Sequence, residues 1–142
     1  MRLTAVFLPG GFSRVAPGVE SATKLGDYAV SLNSYDIVED YEGNPAIVLN
    51  MGYTNNSNID SPFYAAIAVT VFQDGIELET AYIIDDSIVD STSSMLNVMP
   101  GAGHAVTEAF VLSNDTSPVE IEIAEMFSFS DEKITTTINI AE

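Results

Sequence analysis

The sequence predicts an all-β fold, a sandwich of about seven or eight strands. Short runs of β-branched and aromatic residues recur along the chain, turn residues separate them, and no segment has a convincing helical period. The chain has 142 residues, of which 46% are apolar, and a chain of this length buries about two-thirds of its unfolded surface. Because cysteine is absent, disulfides, thiolate metal sites and cysteine nucleophiles are excluded.

Residues 1–24 are expected to form an irregular lead-in or linker, and residues 25–142 the sandwich domain. Proline and glycine punctuate the lead-in at positions 9, 10, 11, 17 and 18. Residues 1–10 place a charge before a short apolar run, which is too short for a normal signal-peptide core and lacks a clear cleavage site. Three readings stay open for them: a truncated leader, a segment added for expression, and a first edge strand.

The first two strands are predicted at residues 28–38 and 46–54, joined by a turn at residues 42–45 whose proline fixes the entry to the second strand. The apolar alternation of the first strand slips after Leu32, which predicts a bulge near Asn33 and Ser34. The second strand points four apolar side chains to one face, namely Ile47, Leu49, Met51 and Tyr53.

A central strand and a hairpin come next. Residues 63–72 are apolar on both faces, which is typical of a central strand. The Asp74-Gly75 pair predicts a tight hairpin to a strand that alternates over residues 76–82.

The remaining chain is predicted to add short strands between loops. We expect a surface connection at residues 83–94, a short strand at 95–99, a strand at 104–112 that buries Val106, Phe110 and Leu112, a turn at 113–118, and strands at 119–124 and 133–140.

Charge excludes two classes of partner. Four Lys and Arg stand against 21 Asp and Glu, a formal net charge of −17, so the chain lacks the basic patch that binds nucleic acid or an anionic membrane surface. The excess of acid is explained by solubility, by attraction of cations or basic partners, or by adaptation to salt. No apolar run reaches the ~20 residues of a membrane-spanning helix.

Five short stretches carry a resemblance to a known family. They are Gly-Asp-Tyr-Ala-Val at 26–30, Asp-Tyr-Glu-Gly-Asn-Pro-Ala at 40–46, Tyr-Thr-Asn-Asn-Ser at 53–57, Phe-Gln-Asp-Gly-Ile-Glu-Leu at 72–78 and Val-Met-Pro-Gly at 98–101. From Leu25 onward the chain resembles a family of immunoglobulin-like domains of unknown function from secreted proteins and lipoproteins of Gram-positive bacteria. The resemblance implies an immunoglobulin-like sandwich outside the cell, and it implies no activity. Lipoproteins of this kind carry a leader that ends in cysteine, so the absence of one implies a removed leader, secretion or another anchor.

The sequence argues against an enzyme, so no catalytic residue and no cofactor are assigned. His104 is the single histidine and is expected to be an ordinary surface or half-buried residue. The stretch at residues 11–15 fails the Gly-x-Ser-x-Gly pattern at its last position, and the glycine patterns of phosphate and dinucleotide sites are absent.

Two acidic stretches are candidates for calcium, because hard cations take several oxygen ligands from flexible loops. One contains Asp85, Asp86, Ser87 and Asp90, and the other contains Asp36, Glu39, Asp40 and Glu42. Neither matches the Asp-x-Asp-x-Asp-Gly loop, and solvated acidic loops are common, so no metal site is assigned.

Two other sets of residues have an ordinary and a functional interpretation. Asn55-Asn56-Ser57 and Asn114-Asp115-Thr116 match the glycosylation signal but are expected to be turns. Four tyrosines form a binding platform if they are exposed, namely Tyr35, Tyr41, Tyr64 and Tyr82. Packing in the core is the default expectation for aromatic residues on strands.

The functional hypothesis is a non-catalytic interaction or adhesion domain that binds an unknown protein or glycan outside the cell. Its first candidate surface is the acidic stretch at residues 83–94. The alternatives are a domain that binds a cation or a small ligand, and a structural spacer. The oligomeric state and the order of the strands are left open.

Overall fold

The computed structural model describes residues 14–15, 22–128 and 131–141, and it confirms the all-β prediction. A five-stranded and a four-stranded antiparallel sheet bury one shared apolar core between them. In chain order the elements are β1 (Arg14–Val15), β2 (Thr23–Leu25), β3 (Tyr28–Glu39), β4 (Pro45–Asn55), α1 (Phe63–Ala66), β5 (Ile67–Gln73), β6 (Ile76–Glu77), β7 (Gly103–Val111), β8 (Val119–Glu125) and β9 (Lys133–Ile138).

Sheet A contains β3, β4 and β7 in that order, and β1 and β2 both pair with the outer edge of β3. The described part of the expected lead-in is therefore attached to the sandwich through β1 and β2. The three interpretations of residues 1–10 stay predictions, because these residues lie outside the part of the chain that the structure describes. Sheet B has the order β6-β5-β8-β9.

The predicted bulge in β3 is confirmed. The register between β3 and β4 shifts between Leu32 and Ser34, so that Leu32 faces Met51 and Ser34 faces Asn50. The extra residue at Asn33 restores the alternation after the slip, and the second half of β3 keeps its apolar side chains on the core.

β4 is the central strand of sheet A and is buried on both faces. Its four predicted core residues, Ile47 to Tyr53 at every second position, lie in the core between the sheets. Ala46 and Val48 point the other way and are also fully buried, in a second apolar cluster with Ala81, Ile83 and Val89. Sheet A is therefore covered on its outer face as well.

The prediction of one strand over residues 63–72 is wrong for its first four residues. Phe63 to Ala66 form the short helix α1, with the amides of Ala65 and Ala66 donating to the Pro62 carbonyl. Phe63 and Ala66 are buried while Tyr64 is exposed, which is the helical spacing of three rather than the strand spacing of two. The ring of Phe63 packs edge-on against Tyr53 at 5.3 Å, and this contact favours the turn of helix.

The predicted Asp74-Gly75 hairpin is confirmed, but its second strand is short. Both turn residues have positive φ, 54° and 79°, as a type I′ turn requires. β6 pairs with β5 over Ile76 and Glu77, and the chain leaves sheet B after one more bond, from the Leu78 amide to the Val71 carbonyl. Residues 78–81, here called the crossing segment, join the free edge of β7 in sheet A, where Thr80 pairs with Phe110.

The cover segment, residues 82–98, contains no strand, so the predicted strand at 95–99 is wrong. Residues 91–96 are turns and a bend instead, held by amides such as that of Met95, which donates to the Thr92 carbonyl. The connection predicted at residues 83–94 is irregular, as expected. It also buries Ile83 and Val89 on the outer face of sheet A.

The last three strands follow the prediction closely. β7 buries Val106 and Phe110, with Leu112 directly after it, and residues 113–118 form the expected turn. β8 pairs with both β5 and β9, so the alternating Ile121 and Ile123 lie in the core between the sheets.

Candidate functional site

An open groove of about 640 Å³ lies where the chain passes from one sheet to the other. Three segments form it: the turn after β3, the chain from β6 through the crossing segment, and the end of β7. We call it the tyrosine groove, and its lining residues are Asp40, Tyr41, Glu42, Asn44, Ile76, Glu77, Leu78, Glu79, Thr80, Tyr82, Val111, Leu112 and Ser113.

The first wall is a tight turn built by Asp40. One carboxylate oxygen of this buried residue accepts hydrogen bonds from the amides of Glu42 and Asn44, both at 2.9 Å. Gly43 completes the turn with a φ of 84°, a conformation that favours glycine. The turn places Tyr41 and Glu42 at the exposed tip, and this end of the sandwich is called the turn end.

Two exposed tyrosines meet across the groove. The rings of Tyr41 and Tyr82 lie 5.9 Å apart in an edge-to-face arrangement, and the Tyr41 amide donates to the Tyr82 carbonyl. Tyr41 is 58% exposed and Tyr82 is 73% exposed. Beside them Ile76 is 68% exposed, so apolar surface lines the groove without belonging to the core.

The groove is electrically negative. Glu42, Glu77 and Glu79 are exposed, and the described residues that line the groove include no lysine, arginine or histidine. The charge of Glu42 is the main reason that the pKa of the Tyr41 hydroxyl is raised above its usual value, followed by desolvation, a hydrogen bond with Glu42 and the charge of Asp40. Aromatic faces beside carboxylates bind cationic groups, which is the chemistry this arrangement supports.

Of the four tyrosines predicted as a platform, the structure brings two together. Tyr41 and Tyr82 share the tyrosine groove, whereas Tyr35 is buried in the core. Tyr64 is exposed on α1, and its amide donates to the Ser94 carbonyl. It lies at the end of the sandwich opposite the turn end, away from the groove.

The acidic stretch at residues 85–90 is organised by its own turns. One oxygen of Asp85 accepts from the amide and hydroxyl of Ser87, and one oxygen of Asp90 accepts from the amide and hydroxyl of Thr92. These bonds, the side-chain bond first, lower the pKa of both carboxyl groups. The two aspartates therefore start turns of the cover segment.

The second acidic stretch is dispersed over two structural roles. Asp40 forms the turn already described, and Asp36 accepts a hydrogen bond from the side chain of Asn50 at 3.0 Å on the outer face of sheet A. Within the described part of the chain, no three acidic or histidine side chains come together in a way that fits a metal ion.

Both glycosylation-like motifs are turns, as expected. The Asn55 side-chain oxygen accepts from the amide and hydroxyl of Ser57, and its nitrogen donates to the carbonyls of Ile59 and Val98 at 2.7 and 2.8 Å. Asn114 accepts in the same way from Thr116. Asn55 is fully buried, so its amide nitrogen is committed to the fold.

Two titratable side chains lie on the inner face of β7. His104 faces Tyr53 across the ladder, and its Nε2 atom is buried with no hydrogen-bond partner among the residues that the structure describes. Glu108 faces Leu49 and lines a small cavity of about 160 Å³. Burial raises the pKa of Glu108 to about 7. The sequence signal for Glu108 was its place between Val106 and Phe110, on the apolar face of the strand.

Comparison with known proteins places this geometry in a family. A family model described as "Domain of unknown function (DUF5067)" matches residues 19–125. The chain belongs to this family. The resemblance to a family of unknown function is confirmed by this match, whereas the family description names no immunoglobulin-like fold, no location and no activity. A search of curated proteins finds no match.

Three solved structures are similar in fold. A protein from Enterococcus faecalis has a TM-score of 0.64 at 16% identity, with 89% of this chain and 94% of that chain covered. A conserved hypothetical protein from Bacillus anthracis has a TM-score of 0.59 at 13% identity, covering 83% and 93%. A putative lipoprotein from Staphylococcus aureus has a TM-score of 0.52 at 14% identity, covering 84% and 92%. Identities this low show the shared fold alone.

Over residues 14–15, 22–128 and 131–141, no helix has the length and apolar character needed to cross a membrane.

Proposed function

We propose that this domain is a non-catalytic, immunoglobulin-like binding module of the cell envelope or the secreted fraction. Strand order supports the immunoglobulin-like part. Sheet A runs β3-β4-β7 and continues to the crossing segment, while sheet B runs β6-β5-β8-β9. These orders correspond to strands A-B-E-D and C′-C-F-G of an immunoglobulin sandwich.

The extracellular setting is supported by likeness. A structural neighbour is described as a putative lipoprotein from Staphylococcus aureus, and the sequence resemblance pointed to secreted proteins and lipoproteins. Protease treatment of intact cells that produce the protein tests this setting, with a cytoplasmic protein as internal control. We expect cleavage of this domain while the control survives, and recovery with the cytosol on fractionation would refute it.

The observation that carries the binding role is the exposed Tyr41–Tyr82 pair in the tyrosine groove. Folding alone gains little from two large rings that stay more than half exposed, and large exposed apolar surface marks interaction sites. The stretch at residues 83–94 is a weaker candidate, because its Ile83 and Val89 cover sheet A and its aspartates cap turns.

Site-specific cross-linking in the native envelope tests the groove as the binding surface. A photoreactive amino acid at Thr80, which lines the groove, is compared with the same amino acid at Thr135, which is exposed on β9 of sheet B. We expect a discrete cross-linked product from position 80 and none from position 135. Products from neither position favour a structural spacer, and equal products from both refute the groove.

A domain that binds a cation gives a different result. Its melting temperature rises with calcium and falls with a chelator, because a ligand of the folded state stabilises it by mass action. The proposed binding module melts at the same temperature in both.

A further inference from the structure

The three exposed carboxylates of the tyrosine groove do not converge on one point. Glu42 belongs to the turn after β3, whereas Glu77 ends β6 and Glu79 begins the contact with β7. Among the described side chains, no group of three acids or histidines is close enough to hold a metal ion. The three carboxylates therefore belong to different parts of the groove wall and do not form a cluster around one metal ion.

The aromatic and aliphatic surface lies among these charges. Tyr41 and Tyr82 present ring surface that attracts a guanidinium or ammonium group, and the negative charge of Glu42 beside Tyr41 adds to that attraction. Exposed Ile76 offers an apolar contact for the methylene stem of a long cationic side chain. A small inorganic cation uses neither of these features.

We propose that the tyrosine groove binds an extended, lysine- or arginine-bearing segment of another protein, an inference that rests on the groove being the binding surface. The guanidinium groups pack on the tyrosine pair and form ion pairs with the glutamates, while the stems lie along Ile76. Charge complementarity supports this occupant, since no lysine, arginine or histidine is among the described residues that line the groove and the chain has a net charge of −17. The groove is open and lies between three segments, a setting that a bound chain can enter from solvent.

A fluorescein-labelled peptide of alternating arginine and serine is the probe, and its matched control carries neutral citrulline in place of each arginine. Anisotropy titrations at about 0.15 M salt measure the affinities, so that long-range attraction is screened. We expect the arginine peptide to bind at least about tenfold more tightly than the citrulline peptide, because each lost charge-assisted contact costs on the order of 1 kcal/mol. Equal binding of the two peptides overturns the proposal.

Variants separate the groove from the overall charge. Glu77→Gln with Glu79→Gln removes two charges from the groove, and Asp60→Asn with Asp131→Asn removes two exposed charges elsewhere on the domain. We expect the first pair to weaken binding about tenfold and the second pair less than about twofold. An equal loss from both pairs means non-specific attraction to an acidic protein and refutes a specific site.

Substitution of the two tyrosines tests the aromatic contribution to peptide affinity separately from the contribution of charge. Tyr41→Ala with Tyr82→Ala leaves the net charge unchanged at neutral pH, and circular dichroism checks that these exposed positions leave the fold intact. We expect about tenfold weaker peptide binding. Unchanged affinity overturns the cation–aromatic part and with it the proposed mode of binding.

Two further outcomes keep this inference distinct from the proposed function. A cross-link from position 80 together with no binding of the arginine peptide keeps the groove as a binding surface and refutes a basic partner. Displacement of the peptide by spermine at equal charge concentration shows that free polyamines fit as well, and it refutes a protein segment as the preferred occupant.

Discussion

Replacement of Glu108 by glutamine is expected to stabilise the protein above neutral pH and to leave its stability unchanged in acid. Glu108 lies on the inner face of β7, opposite Leu49, and the other residues that line its cavity carry no ionisable side chain. Desolvation alone therefore sets its behaviour, and it raises the pKa from 4.5 to about 7. Glutamine keeps the shape of the side chain and removes its ability to ionise.

The magnitude follows from linkage between protonation and folding. Below the unfolded pKa of 4.5 the carboxyl group is neutral in both states, and folding carries no electrostatic cost. As the pH rises through the folded pKa of about 7, this advantage of the neutral acid is lost, because the folded state must bury a charge. At 1.36 kcal/mol per pKa unit, the full cost above neutrality is about 3 kcal/mol.

Urea unfolding of both proteins between about pH 4 and pH 8, followed by circular dichroism, measures the difference directly. We expect the stability advantage of Glu108→Gln to grow from near zero at the acid end to about 3 kcal/mol at the alkaline end. Glu120→Gln, at an exposed position of β8, is the matched control and is expected to give no such slope. An advantage of the same size at both ends, or a Glu108 carboxyl that titrates near 4.5 by NMR, refutes the reasoning.

Two predictions concern turns at the end of the sandwich opposite the turn end and are measured by the same unfolding assay. Asn55→Ala leaves two main-chain carbonyls without their donor and is expected to cost about 3 kcal/mol, whereas alanine at its exposed neighbour Asn56 changes stability by less than about 0.5 kcal/mol. Gly26→Ala and Gly43→Ala are each expected to cost about 1 kcal/mol, because both glycines have positive φ and the Glu125 carboxylate that the new methyl group meets at position 26 is the movable end of a flexible side chain. An Asn55→Ala variant of unchanged stability, or a cost at Gly26 several-fold larger than the cost at Gly43, contradicts this reasoning.

Elements whose signal is local were predictable from the sequence. The Asp74-Gly75 turn needs positive φ at two successive positions, and few residue pairs adopt that conformation. The hairpin was therefore predictable from these two residues. The bulge after Leu32 was visible as a slip of the alternation, since a strand that keeps one face on a core has to insert a residue when its pattern shifts by one.

The short helix α1 was not predictable from periodicity. Residues 63–72 are apolar on both faces, and a run of this kind fits a buried strand and a buried helical turn equally well. What decides between them is the packing of Phe63 against Tyr53, a contact between residues in different elements. Tertiary contacts of this kind leave no trace in the local pattern.

The groove was missed for a related reason. Residues 76–79 alternate apolar residues with glutamates, and Thr80, Ala81 and Tyr82 were interpreted as continuing that alternation, which predicted one continuous strand. An extended chain keeps such a pattern whichever sheet it pairs with, so the pattern does not record that the chain leaves β5 after Leu78 and joins β7 at Glu79 and Thr80. The position of Tyr82 beside Tyr41 depends on that change of sheet, although both tyrosines were recognised as candidates.

The change of sheet also explains why one short stretch serves both the fold and the proposed function. By pairing with β7, the crossing segment occupies part of an edge that would otherwise offer unpaired backbone groups to other chains. The cover segment that follows it then seals the outer face of sheet A with Ile83 and Val89. The same route leaves a gap beside the end of β6, because a chain that moves between two sheets cannot fill the space between their edges. The groove is therefore a consequence of closing the sandwich on this side. Closing the sandwich does not require tyrosines and glutamates to be exposed around the groove, so these side chains are the feature that a binding role explains.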